Sequence, residues 1–258
     1  MTSSEAVSLA EHTWTDVERA LENGSRTVIV GIGAIEQHGP HLPLNMDTID
    51  ADEMARRIAT ELGDALAAPS IRPGCSEHHM EFPGTISLRE ETLAAFVRDY
   101  CESLDHHGFE HVVLVPTHGG NFEPVDAAVE SIADDLDVTL IALTDLDHHM
   151  ELLNEGLAAA SVDYHEPVIH AGAAETSMIL ATDPELVRDD RIEVGVEGEI
   201  STDRLLEEGF ASIAPKGVLG DPRKASEAAG EAIFEIVTEA YVESIEAARG
   251  NAKSGSST

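Results

Sequence analysis

VIVGIGAIEQHGPHLPLNMDTID, residues 28–50, is the stretch whose reading decides the fold. It opens as an apolar, β-branched run (Val28, Ile29, Val30, Ile32), the composition of a buried strand. Its character then changes within a few residues. Glu36, His38, His41 and Asp47 follow, set among Gly33, Gly39, Pro40 and Pro43. A buried strand that ends in a rigid loop bearing metal-type ligands predicts an open α/β sheet, because such sheets bind ligands beyond the carboxyl ends of their strands. Glu36 and His38 are two residues apart, so in extended chain both side chains point to one side and could face one ion or two adjacent ones. Asp47 stands just before a helical run over 48–62, where its carboxylate could double as a cap. A lone Glu-x-His pair in a loop is usually solvated surface. What raises it above that reading is repetition of the same design along the chain.

The repetition is visible downstream. A short strand over 67–71 opens into PGCSEHHMEFPGTISL, with Ser76, His78 and His79 before a Phe82-Pro83-Gly84-Thr85 turn. Adjacent side chains diverge, so at most one of the two histidines is expected to face a site. A helix over 90–106, stopped by Gly108, leads to a near-continuous apolar strand over 112–115. That strand ends in Thr117-His118-Gly119-Gly120-Asn121, and a helix resumes over 125–134. A further strand over 138–143 and a helix over 150–160 precede YHEPVIHAGAAETSMILATDP, in which His170 stands before Ala-Gly and Glu175 opens an apolar helix. Glu175 there could serve the helix dipole alone. Residues 185–214 are acidic and weakly patterned, read as a strand and short helices. The loop PKGVLGDPRKAS carries Lys216, Arg223 and Lys224, the most cationic stretch of the chain; it suits an anionic substrate group, a neighbouring subunit or plain solvent. A helix over 227–247 closes the fold. At the N-terminal side, residues 15–23 read as a short amphipathic helix anchored by Trp14, the only tryptophan. No linker divides the chain, so residues 1–250 are read as a single domain and 251–258 as a flexible tail.

Composition narrows the function classes. Fifty acidic residues against 15 basic give a net charge of −35 in a chain of 258 residues whose apolar fraction, 42%, is ordinary. Such a surface repels nucleic acid and anionic membranes, and its self-repulsion calls for counterions, which points to a high-salt, halophilic setting. No stretch approaches the ~18–20 apolar residues of a membrane span, and the first residues lack a signal-peptide pattern; the expected location is the cytoplasm. Cys75 and Cys101 lie in no CxxC and make no disulfide framework.

Collected, the strand-end residues Glu36, His38, Asp47, His118 and Glu175 form a nitrogen and oxygen donor set suited to Zn²⁺, Mn²⁺ or Fe²⁺. Three carboxylates and a hydroxide would balance two divalent ions, and a two-metal site of that kind can cleave an amide without a covalent intermediate.

At these residues the chain resembles the creatininase (creatinine amidohydrolase) family. The resemblance is carried by Gly33-Ala34-Ile35-Glu36-Gln37-His38-Gly39-Pro40-His41-Leu42-Pro43-Leu44 with Asp47-Thr48, by Ser76 and His79 before Phe82-Pro83-Gly84-Thr85, by His118-Gly119-Gly120-Asn121, by His170-Ala171-Gly172 with Glu175-Thr176-Ser177, and by Gly217 with Gly220-Asp221-Pro222. It implies a three-layer α/β/α sandwich with a mostly parallel sheet, two divalent metal ions and a homo-oligomer, commonly a hexamer. Carried over, Glu36, Asp47 and His118 hold one metal with Asp47 bridging, and His38 with a second carboxylate holds the other. Creatinine-hydrolysing members take that carboxylate from a Glu two residues after the second His, where this chain has Gly120; Glu175 is the expected replacement. His170 is the expected proton donor to the leaving nitrogen, with Glu175 beside it as a catalytic residue. Ser76, His79, Gly119 and Asn121 are expected at the substrate, as are Lys216 and Arg223 of the cationic loop. The family's creatinine-specific members also line the pocket with tryptophans that this chain lacks. The expected activity is therefore hydrolysis of a non-peptide C–N bond in a small amide, a formamide on a ribosylaminopyrimidine phosphate foremost. Creatinine hydrolysis, peptide trimming during cofactor maturation and an inactive metal-binding scaffold are the alternatives.

Overall fold

A computed structural model describes residues 7–198, 200, 204–205 and 208–255. Among them a four-stranded parallel sheet has the order β2-β1-β3-β4, with β1 at Thr27–Ile32, β2 at Ala65–Ala67, β3 at His111–Pro116 and β4 at Thr139–Ala142. β1 and β3 run side by side from Thr27 opposite His111 to Ile32 opposite Pro116, and every residue of both is buried. Burial on both faces is why these two strands read as continuous apolar runs.

Alternation of side chains splits the core into two layers. Val28, Val30 and Ile32 of β1, with Val112 and Leu114 of β3, pack under α3 (Glu90–His106) and α4 (Phe122–Ile132). Ile29, Val113 and Val115 face the other way, onto α2 (Met46–Leu62), α5 (Leu146–Ala159), α6 (Ala173–Thr182) and α8 (Glu227–Gly255). Helices on both faces of a parallel sheet make the three-layer α/β/α sandwich that the family resemblance implies. A single turn of helix, α7 (Phe210–Ile213), lies outside these layers.

Several boundaries differ from expectation. α2 begins at Met46 with Asn45 as its cap, so Asp47 is a residue of the first turn rather than the cap itself. β2 is three residues long, and Ile71 joins the sheet only through an isolated bridge to Ile32. Trp14 does not anchor the N-terminal helix α1 (Trp14–Glu22); it is 76% exposed, because Val17, Ala20 and Leu21 make that helix's contact with the core. Between 185 and 214 the described residues form short helical turns, and the only strand-like pairing is the bridge from Val196 to Leu219. α8 continues to Gly255, so residues 251–255, read as tail, extend that helix; 256–258 lie outside the described residues.

The order β2-β1-β3-β4 makes the gap between β1 and β3 the topological switch point, since the chain leaves β1 toward one edge and β3 toward the other. Ligand crevices open at such points. Gly33 sets how tightly the crevice is built: a Cβ there would lie 2.7 Å from the Asp47 carbonyl oxygen and from Thr48 Cα. Only a glycine lets the end of β1 pass that close to the first turn of α2.

Candidate metal centre

Four chain segments converge on the switch point. The loop after β1 supplies Glu36, Gln37 and His38, the first turn of α2 supplies Asp47, the loop after β3 supplies His118, and the start of α6 with its preceding loop supplies His170 and Glu175. Glu36, His38, Asp47, His118, Glu175 and His170 line one chamber. All six are buried, Glu36 completely.

Asp47 occupies the middle. Its Oδ1 is 3.2 Å from His38 Nε2, and its Oδ2 is 3.8 Å from His118 Nδ1, so its two oxygens face two different imidazoles. On the first side, Glu175 Oε2 is 3.6 Å from His38 Nε2, completing a His38, Asp47 and Glu175 group within reach of one ion. On the second, Glu36 Oε2 is 3.3 Å from His118 Nε2, in a group with His78. A third convergent group joins Glu36, His38 and His170. Backbone carbonyls orient the rings: His38 Nδ1 lies 3.4 Å from the Glu36 carbonyl, and His118 Nε2 donates to the Cys75 carbonyl at 3.0 Å. Such partners fix the tautomer and leave the other nitrogen for a ligand.

The donor set fits a divalent metal. Both Glu36 carboxylate oxygens and Asp47 Oδ2 are buried without a hydrogen-bond partner. Burying a carboxylate whose oxygens accept no hydrogen bond costs several kcal/mol per ion, a cost that a bound cation removes. The protonation pattern also reports mutual strain. Burial works against charge on His38 but the Asp47 and Glu175 carboxylates outweigh it, raising its pKa to about 10. His118 likewise overcomes its burial through Glu36 and rises to about 9. Burial lifts Glu175 to about 7 despite the neighbouring His38. Burial lowers His78 to about 4 and His170 well below the usual imidazole value, the latter helped by the nearby His38. Protons thus stand where two cations could stand.

Gly120 explains the missing carboxylate. A Cβ there would lie 2.3 Å from the Cys75 carbonyl oxygen and 2.6 Å from His118 Nε2, so no side chain fits at that position. Glu175 reaches the same neighbourhood from another helix, with its Oε2 accepting from the Ala171 N–H.

The other expected contacts divide. Gly119 lines the chamber. His79 does too, its Nε2 3.3 Å from Glu36 Oε1, and so does His78; a 3-10 turn at Glu77–His79 turns both inward, against the expectation that adjacent histidines diverge. Asn121 does not line the chamber but acts as a brace. Its Oδ1 accepts from the Cys75 N–H at 2.9 Å and its Nδ2 donates to the Gly33 carbonyl at 3.0 Å, tying the loops after β1 and β3 together. Ser76 is fully buried and does not line the chamber. Lys216 and Arg223 are also outside it. Lys216 pairs with Glu193 and Arg223 with Asp221, both side chains more than half exposed, because acids are near at hand in so acidic a chain. None of the described residues lining the chamber is a lysine or an arginine.

Sequence reasoning missed three participants. Gln37 anchors its Oε1 on the Gly39 N–H at 2.9 Å and points its Nε2 at His79 Nδ1 (3.0 Å) and His170 Nε2 (2.8 Å). Its place between Glu36 and His38 was the available signal, obscured by assuming an extended loop. Phe210, from the weakly patterned acidic segment, lies 4.4 Å from both rings, stacked on His79 and tilted against His170, and nothing in its local sequence marks it. Asp50 also lines the chamber, one helical turn after Asp47.

Comparison with known proteins shows the family. A curated mycofactocin precursor peptide peptidase from Mycolicibacterium smegmatis is 33% identical over 227 residues, covering 85% of this chain and 84% of that protein. The creatinine amidohydrolase of Pseudomonas putida is 27% identical over 259 residues, 94% of this chain and 97% of its own. A solved creatininase in its Mn form superposes with a TM-score of 0.78 at 27% identity, over 93% of this chain and 97% of that one. The model of the creatininase (creatinine amidohydrolase) family matches residues 10–245, nearly the whole of this α/β/α sandwich, so the chain belongs to the creatininase family of amidohydrolases.

Proposed function

We propose that this chain is a dinuclear metal-dependent amidohydrolase that cleaves the amide bond of a short peptide. The observation that carries the reading is the placement of Asp47 with one oxygen toward His38 and the other toward His118. Glu36, Asp47 and His118 would hold one ion, and His38, Asp47 and Glu175 the other, from the group Zn²⁺, Mn²⁺ and Fe²⁺. Such ions supply Lewis acidity toward a carbonyl oxygen and make water acidic near neutral pH.

The chain's own groups do the rest. His170 is held neutral by burial, with Nε2 donating to the Gln37 carbonyl and Nδ1 bare at 3.9 Å from Glu36 Oε1, so it is placed to take a proton from the attacking water and pass it to the leaving nitrogen. Phe210 covers the His79 and His170 rings, holding their planes and excluding water from one side. Glu175, tied to the Ala171 N–H, keeps its orientation toward His38.

Substrate choice rests on the chamber wall. Met54, Phe122, Met150, Leu153, Met178 and Leu205 make much of it apolar, and no lysine or arginine among the described residues meets an anionic group. The expectation of a phosphorylated formamide leaned on Lys216 and Arg223, and their position outside the chamber removes that support. A peptide with apolar side chains suits an apolar wall, and the M. smegmatis relative is named as a peptide peptidase. We also infer a homo-oligomer, by likeness to the family.

The test is hydrolysis in high KCl with added Mn²⁺, Zn²⁺ or Fe²⁺, offering short peptides, creatinine and a formamidopyrimidine ribotide side by side. Peptide cleavage is expected. Formate release from the ribotide, or turnover of creatinine alone, overturns the substrate reading.

A further inference from the structure

Asp50 has no place in the arrangement described so far. It is 3% exposed, lines the chamber, and its Oδ1 has no hydrogen-bond partner. It belongs to none of the three groups of side chains that converge on a metal position. On α2 it follows Asp47 by three residues, so both carboxyls project from one face of the helix. Met54 follows it by one turn of α2, and Phe122, Leu153 and Met178 from α4, α5 and α6 line the same chamber. The other polar group contributed by α5 is His149, whose Nδ1 is already engaged with the Tyr241 hydroxyl at 2.7 Å.

A buried carboxyl oxygen with no donor is costly to retain, which marks it as a group kept for a partner from outside. That partner cannot be a lysine or an arginine of the described wall, since none lines the chamber. It must also pass apolar side chains to arrive. We infer that Asp50 ends a substrate subsite for a cationic nitrogen, an ammonium or guanidinium group, carried on an apolar stem. This rests on the reading of the chamber as the place where an amide is bound and cleaved. A lysine-like side chain has that form: methylenes against Met54 and Leu153, and a charged head with three donors for the carboxylate.

Two arms of one experiment test it on the metal-loaded protein. The first compares kcat/KM for short peptides that differ only in a lysyl against a norleucyl residue. Wild type is expected to favour the lysyl peptide by at least about tenfold, the worth of one charge-assisted hydrogen bond, and Asp50→Asn to lose that preference with its metal content unchanged. An unchanged preference in Asp50→Asn overturns the subsite. Loss of metal from that variant also overturns it, because Asp50 would then be a ligand. The second arm needs no turnover. Thermal unfolding is followed with n-butylammonium and with n-butanol, in wild type, Asp50→Asn and Asp50→Ser. Stabilisation by butylammonium in wild type only is expected. Equal response to both compounds, or an ammonium response kept by a folded Asp50 variant, sinks the inference. If no amide is cleaved while the butylammonium effect stands, the hydrolase reading has failed and the subsite has not.

Discussion

Gly120 shows how much one missing side chain decides. The atoms within 2.6 Å of a Cβ built there are the Cys75 carbonyl oxygen and His118 Nε2, two groups that hydrogen-bond each other to orient His118. Gly120→Ala is therefore expected to break that hydrogen bond and weaken metal binding about tenfold or more while leaving secondary structure intact, read by metal titration and circular dichroism. His149 offers a second test, of pH dependence. Burial draws its pKa down to about 4, against about 6.5 in an unfolded chain. Its contribution is thus present above pH ~6.5 and lost as pH falls toward the folded value, since only the unfolded state gains the proton in between. Urea unfolding of wild type and His149→Phe in chelator should show wild type losing stability relative to the variant by at most about 1.4 kcal/mol per pH unit between pH 6.5 and 4. Parallel pH profiles would show that His149 is not the buried neutral group described.

At the scale of elements, the start of α6 is held by a side chain that is no part of the chemistry. Glu166 is buried and accepts from the Ala173 N–H at 2.7 Å and the Ala174 N–H at 3.0 Å, satisfying two donors that a helix start leaves without a partner. Ala173 begins the helix that carries Glu175. Glu166→Gln keeps the shape but replaces one acceptor oxygen by a donor nitrogen, setting it against an N–H. A loss of about 1–3 kcal/mol in unfolding free energy is expected in chemical denaturation, and no loss would mean that water serves the helix start equally well. α2 holds a comparable place on the other side of the site. Its close approach to the end of β1 at Gly33 puts Asp47 between His38 and His118.

Over the whole molecule, charge is the dominant feature. A net of −35 is spread along the sequence, and the cations are largely spoken for: Arg56 and Arg57 share Glu53, Arg98 reaches Glu102 and Asp135, and Arg249 meets Asp64. The remaining acids repel one another through solvent, where added salt screens them. The unfolding temperature is expected to rise steadily from low to molar KCl; a flat response would refute the high-salt reading. Among the described residues no helix is long and apolar enough to cross a membrane.

The sequence by itself determined the layers and much of the donor set. Continuous apolar runs in β1 and β3 announce strands covered on both faces, and Gly-rich strand ends carrying Glu36, His38 and His118 announce where ligands gather, because these are local properties of composition and period. Only the tertiary structure decided which residues meet. Glu175 arrives from a helix more than fifty residues after Gly120 in the chain to stand near His38, and nothing local encodes that distance. Phe210 and Asp50 enter the site through packing of segments whose own patterns are silent about it. Lys216 and Arg223 go the opposite way. Read as a loop, they are cations in search of an anion; in the fold Arg223 is taken by its sequence neighbour Asp221 and Lys216 by Glu193, an acid that only folding brings near.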